Sequence, residues 1–202
     1  MRSTEPSLGM AVISFGQPPT APPAPPSISS NHAIAIAFAR AGISVFPCAS
    51  GTKAPLTARG FKDATSDERP IARWWRQDPG ALVGLPTSCF WVLDIDAKPA
   101  LADSMAALLE LLLMDEPTLV AACALVIATP GGGLHLYFAR TTGVAIRTGA
   151  GDIASGVDTR GHDADGRATG YIIAPGCVLP DGRAYRILKG TLGSLFAMGG
   201  RS

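Results

Sequence analysis

The sequence predicts one α+β domain, with a mixed or antiparallel sheet flanked by helices. Three observations predict it: helical patterns concentrate in the first 116 residues, short strand-like runs crowd the second half, and no regular βαβ alternation is present. The 202-residue chain also opens on a segment that cannot join a packed core, which leaves about 165 residues, the size of one domain.

That segment comes first. "QPPTAPPAPPSISS" places six prolines within residues 18–26, a composition that favours extended polyproline II without internal hydrogen bonds, so residues 1–30 are expected to be a disordered, Pro-rich tail. Residues 31–190 are expected to form the folded domain and 191–202 a flexible C-terminal tail. "NHAIAIAFARAG" has a capping Asn31, alanine-rich helix formers and a stop glycine, which predicts a helix over 32–40. "ISVFP" follows as a short strand. "TSDE" at 65–68 fits a capping box of Thr65 with Glu68, opening a helix to about Gln77. "ALVGLP" and "CFWVLDID" read as two strands, and "ALADSMAALLELLLMDE" as the longest helix. The runs "CALVIAT", "LHLYFAR", "GVDTRG", "YIIAP" and "AYRIL" read as strands of an antiparallel sheet, and Asp165-Gly166 as a hairpin turn.

Composition excludes several classes. The net charge of +1 rules out a strongly basic coat, so any nucleic-acid contact must come from local Arg and Lys clusters. Cys48, Cys89, Cys123 and Cys177 lie far apart without zinc spacing and are expected to be reduced, mostly buried thiols. The stretch "MAVISF" is too short for a signal peptide, and the apolar segment near 105–114 is too short to span a bilayer. A cytoplasmic protein without membrane contact is the expectation.

The chemistry concentrates in three places. In "FWVLDIDA" alternate side chains share a face, so Asp94 and Asp96 point the same way from a strand that otherwise reads as core. Two neighbouring carboxylates repel unless a cation such as Mg²⁺ or Mn²⁺ compensates them, although a solvated strand end would look the same. "ATPGGGLHLYF" turns on Gly131, Gly132 and Gly133 and leaves through His135; bare glycines let backbone N–H groups approach an anion, and a plain hairpin turn would also fit. "SGVDTRG" adds Asp158, with Arg160 two residues later on the same face, suited to bidentate phosphate contacts or to a surface salt bridge.

In chain order these motifs resemble the three catalytic motifs of the archaeo-eukaryotic primase superfamily: DxD, small-x-His and a strand ending in Asp. The wider run "GTKAPL", "FKDATSD", a Trp helix, "VGLPTS", "VLDIDA", "TPGGGLHLYF", "GVDTRG" and "GYIIAPG" is similar to its bifunctional primase-polymerase branch, found in replication proteins of phages, plasmids and other mobile elements. The resemblance spans about Asn31 to Leu188 and implies the primase-like catalytic fold for residues 31–190. It implies a nucleotidyltransferase that makes or extends primers on a single-stranded DNA template, with dNTPs or NTPs as substrates. By the same resemblance Asp94, Asp96 and Asp158 hold two divalent ions, Mg²⁺ or Mn²⁺, and His135 contacts the nucleotide phosphates. Arg160 and Lys53 are further phosphate contacts, and Gly131 to Gly133 offer close backbone approach.

Two departures accompany it. "HDADGRAT" lengthens the link before the Gly-Tyr strand, and the chain stops soon after "GTLGSLFAMGGRS", so either a separate replicative helicase is expected to unwind the duplex or the chain is a truncated or degenerate copy of a longer replication protein. Trp74 and Trp75 lie about 100° apart on a helix, which favours core packing for one of them, while Arg73, Arg76, Arg147 and Arg167 are candidate template contacts. Two rival functions remain: a non-catalytic replication module that binds nucleotide or single-stranded DNA, and a metal-dependent nuclease using the same acids.

Overall fold

The computed structural model describes residues 30–98 and 100–199; the Pro-rich tail lies outside them, except for Ser30. The elements run α1 (Ser30–Arg40), β1 (Phe46–Cys48), a 3-10 turn (Gly60–Asp63), α2 (Glu68–Gln77), β2 (Leu82–Pro86), β3 (Phe90–Ile95), α3 (Leu101–Leu112), α4 (Glu116–Ala122), β4 (Leu125–Ala128), β5 (Leu134–Ala139), β6 (Gly149–Ala154), β7 (Val157–Arg160), β8 (Tyr171–Ile173), β9 (Arg186–Lys189) and α5 (Leu192–Gly199). Two sheets result, and every pairing in both is antiparallel. The larger has the order β6-β7-β3-β5-β4-β9 and the smaller β1-β2-β8. The α+β class expected from the sequence is the observed one.

The strand period decides which residues face which layer. Leu93, Ile95, Leu134, Leu136 and Val157 leave one face of the large sheet and pack on Met105 and Leu108 of α3 and Leu119 of α4. Phe90, Val92, Leu125, Ile127 and Tyr137 leave the opposite face and join a second cluster with Phe38 of α1, Ile71 of α2 and Leu85 and Ile172 of the small sheet. The large sheet is therefore covered on both faces, which is why β3 and β5 read as nearly continuous apolar runs. Among the described residues no helix is long and apolar enough to cross a membrane.

Local capping differs from the sequence expectation in three places. α2 is capped by Asp67, whose carboxylate accepts from the Arg69 N–H, while Thr65 Oγ1 accepts from the Asp67 N–H; the capping box of Thr65 with Glu68 does not form because Glu68 is bound to Arg40 instead. Asn31 does not cap α1. It is buried, donates to the Ala81 and Val178 carbonyls and accepts from the Val178 N–H, tying the helix to two distant segments. The long helix is broken at Leu113, which adopts the left-handed conformation (φ 51°), and α4 starts afresh under an Asp115 cap.

The expected flexible tail over 191–202 is corrected for 192–199, which form α5. Leu195 is fully buried, and Phe196 meets Phe38 edge-on at 5.3 Å, so the segment belongs to the core. The four cysteines are free, three buried and Cys89 half-buried. Burial pushes the Cys48 and Cys177 thiols up to about 12 and those of Cys89 and Cys123 up to about 11, which keeps them protonated and unreactive.

Candidate active site

Register assembles the site. β3 is central in the large sheet, and Asp94 is paired with His135 of β5 on one side and with Asp158 of β7 on the other. Directly opposed residues of antiparallel strands point to the same face, so these three side chains leave the sheet together, and Asp96, two positions on, shares that face. Arg160, opposite Val92, completes the row. The face opens into a cleft of about 530 Å³ between the two sheets, lined on the far wall by Tyr171, Ile173 and Tyr185. Asp94, Asp96, His135, Asp158, Arg160 and Lys53, all singled out from the sequence, line this one cleft.

The contacts within it are specific. His135 Nε2 lies 3.3 Å from Asp94 Oδ1, and the Arg160 guanidinium lies 3.6 Å from Asp94 Oδ2 and 2.8 Å from Asp158 Oδ2. The Gly151 N–H donates to the other Asp158 oxygen, at 2.9 Å. His135 is almost completely buried, and its Nδ1 has no partner among the described residues. Its Nε2 is turned to Asp94, so what His135 does here first is hold that carboxylate.

Lys53 enters from the loop between β1 and the 3-10 turn. It is one of two non-glycine residues with positive φ (61°) among those described, and its Nζ lies 5.8 Å from the Tyr185 ring centroid. The Tyr171 hydroxyl donates to the Lys53 carbonyl at 3.2 Å, fixing that strained backbone.

The electrostatics separate the two acids of the DxD pair. Burial raises Asp94, but the hydrogen bond and charge of His135, with the charges of Arg160 and Lys53, outweigh it and hold this carboxyl below its ordinary value. Asp96 is raised, first by burial and then by the negative charges of Asp94 and Asp158, against which Arg160 and Lys53 act only in part. The signs of linkage are therefore opposite. Asp94 adds stability that is complete above its unfolded value, about 3.9, and is lost as pH falls through its lower folded value. For Asp96 stability falls as pH rises from the unfolded to the raised folded value. Asp96→Asn is accordingly expected to raise the Tm of the metal-free protein at pH 7, by an increment that disappears near pH 3. A lower Tm at both pH values would show that Asp96 has a structural role that charge does not describe.

The triple glycine turn lies outside the cleft lining. Gly132 N–H donates to the Thr129 carbonyl and Gly133 N–H to Thr129 Oγ1, so these donors serve the hairpin and do not face an anion. The expectation that all three glycines offer backbone to a phosphate is corrected for these two. Gly133 is required for packing instead: a Cβ there would stand 2.3 Å from the Ile95 carbonyl oxygen.

Trp75 is buried, donates from Nε1 to the Ala81 carbonyl and stacks on His32, while Trp74 packs against the same core. Trp75 is therefore taken up by the core, while Trp74 stays half-buried. Arg73, Arg76 and Arg147 are exposed, and Arg167 is already paired with Asp163 and Asp165 of its own turn. Sequence reasoning missed the aromatic wall of Phe61, Tyr171 and Tyr185. Tyr171 lay inside a quoted motif, but as a strand residue without a hint that it faced the carboxylates.

An α+β domain that gathers three carboxylates, a buried histidine and two cations between two antiparallel sheets defines a class built to handle anionic substrates. The chain belongs to the bifunctional DNA primase/polymerase N-terminal (Prim-Pol) family, whose sequence model matches residues 35–197. The match begins within α1, ends within α5 and contains every residue of the cleft, so the resemblance read from the motifs is borne out. No curated protein matches the chain.

Proposed function

We propose that the cleft is the catalytic centre of a template-dependent nucleotidyltransferase that synthesises or extends primers on single-stranded DNA. The observation that carries this is the register of three adjacent strands, which sets Asp94 between His135 and Asp158 with Asp96 and Arg160 on the same face. Family membership supports DNA primase/polymerase chemistry, and the charge pattern of the cleft supports this as its place.

The donor set suits hard divalent cations. Asp94, Asp96 and Asp158 offer carboxylate oxygens, the ligands Mg²⁺ and Mn²⁺ prefer, and Asp96 is raised first by burial and then by the negative charges of Asp94 and Asp158. Among the described residues no three such groups stand already closed around one point, and Arg160 contacts two of them, Asp94 and Asp158. Asp94, Asp96 and Asp158 would hold such ions, which when bound would supply activation of a primer 3′-hydroxyl and neutralisation of the triphosphate.

The remaining work falls to the chain itself. His135 orients Asp94 from beneath; Arg160 and Lys53 bind phosphate oxygens from above; Phe61 and Tyr171 give the base an apolar wall at the mouth. In this reading the domain runs from residue 31 through α5. It serves replication of a phage, plasmid or other mobile element, in the cytoplasm, beside a separate helicase.

The test is nucleotide incorporation by the full chain on a primed and an unprimed single-stranded template, with Mn²⁺ or Mg²⁺. Labelled dNTP or NTP built into the strand supports the reading. Loss of a labelled strand instead identifies a nuclease, and binding without either reaction identifies a non-catalytic module.

A further inference from the structure

Every oxygen of two cleft carboxylates is engaged by the protein itself. Asp94 gives Oδ1 to His135 and Oδ2 to Arg160; Asp158 gives Oδ1 to the Gly151 N–H and Oδ2 to Arg160. A single guanidinium therefore covers the one oxygen of each acid that the surrounding scaffold leaves over. Among the described residues no other Lys or Arg is in ion-pair contact with Asp94, Asp96 or Asp158. Strand pairing opposite Val92 pins the Arg160 backbone, but the side chain is 27% exposed on the cleft side and can leave by rotamer change alone.

We propose that Arg160 is a built-in counter-ion that competes with divalent cations for Asp94 and Asp158, and that it yields them as it moves to the anionic tail of a nucleoside triphosphate. The inference rests on the reading of the cleft given above. Both contacts come from the one nitrogen Nη2, and a guanidinium pairs with phosphate oxygens as it does with carboxylates, so the exchange replaces one charge-assisted pairing with another. Before it, Asp94 and Asp158 share one close cation; after it, the carboxylates are free for metal and the arginine faces the phosphates. Metal and triphosphate then favour each other's binding by the same factor, since coupling between two sites is reciprocal. A triphosphate arriving without metal, or metal without triphosphate, meets a site that is partly self-neutralised.

The experiment measures Mn²⁺ binding alone, without nucleotide, by the paramagnetic resonance signal of free Mn²⁺ on the full chain. Arg160→Gln is expected to bind Mn²⁺ about tenfold more tightly than wild type, equivalent to ~1.4 kcal/mol. Arg160→Lys keeps the charge on a shorter, differently shaped head group and is expected to fall between them. Equal or weaker Mn²⁺ binding by folded Arg160→Gln overturns the proposal. Should that variant fail to fold, Arg160→Lys decides: tighter binding than wild type supports the counter-ion, and equal binding overturns it. Asp158→Asn separates the two levels, because Mn²⁺ binding that it leaves undiminished would overturn the carboxylate site along with the role of Arg160.

Discussion

Asp94→Asn is expected to abolish nucleotide incorporation, by at least about 10³-fold, which corresponds to ~4 kcal/mol of lost transition-state stabilisation. The substitution keeps the shape and removes the charge at the β3 position whose side chain meets both His135 of β5 and Arg160 of β7. His135 and Arg160 then lose their shared anion, and the donor set drops to two acids on separate segments. Folding should survive, because Asn keeps the volume of the side chain and can still pair with His135 Nε2; near-ultraviolet circular dichroism and Tm are the controls. Incorporation within tenfold of wild type by a folded Asp94→Asn protein would remove Asp94 from the catalytic centre. The loss should not be rescued by raising Mn²⁺ concentration if the carboxylate itself is needed.

The second large effect is expected from Gly133→Ala, in the turn between β4 and β5. The added methyl would sit 2.3 Å from the Ile95 carbonyl oxygen and 3.3 Å from the Ala97 nitrogen. Neither is a side chain that can rotate away, so the strand end or the turn must shift, at a cost of about 1–3 kcal/mol. The displaced atom belongs to the residue between Asp94 and Asp96, so the damage reaches the cleft. Urea denaturation should show the lower midpoint with an unchanged slope, and incorporation should fall even where the protein is fully folded. Gly131→Ala is the control, since its nearest foreign atom, Thr129 Oγ1, is 3.8 Å away. Equal stability of both variants would mean that the hairpin adjusts without strain.

The contrast between those two glycines shows how far the sequence could be read. Motif spacing identified Asp94, Asp96, His135, Asp158, Arg160 and Lys53, and β3, β5 and β7 were visible because they are apolar runs ending in turn residues. That Asp94 would stand opposite both His135 and Asp158 depends on register, a property of strand pairs that no single strand carries. β6 was invisible for a related reason: "GAGDIA" has no apolar alternation, and the strand exists through pairing to β7 at the sheet edge. The break between α3 and α4 was hidden by Leu113, a residue that seldom takes positive φ and gives no stop signal. α5 looked like a tail because it is short and glycine-rich; its docking on Phe38 of α1 is a contact between the two ends of the domain. The Asp67 cap was missed because Arg40, from a distant helix, claims the Glu68 that a capping box would have used.

The central place of β3 also governs when the site can come into being. Its two neighbours arrive late and from afar: residue 94 waits for residue 135, then for residue 158, across two helices and a hairpin. Such non-local pairing makes for slow, cooperative folding, because loop closure must precede the contacts that reward it. As the chain leaves the ribosome, the third acid and its arginine emerge on the same short strand. The repulsion that Asp158 brings to Asp94 is therefore accompanied, from the moment of docking, by the charge that offsets it.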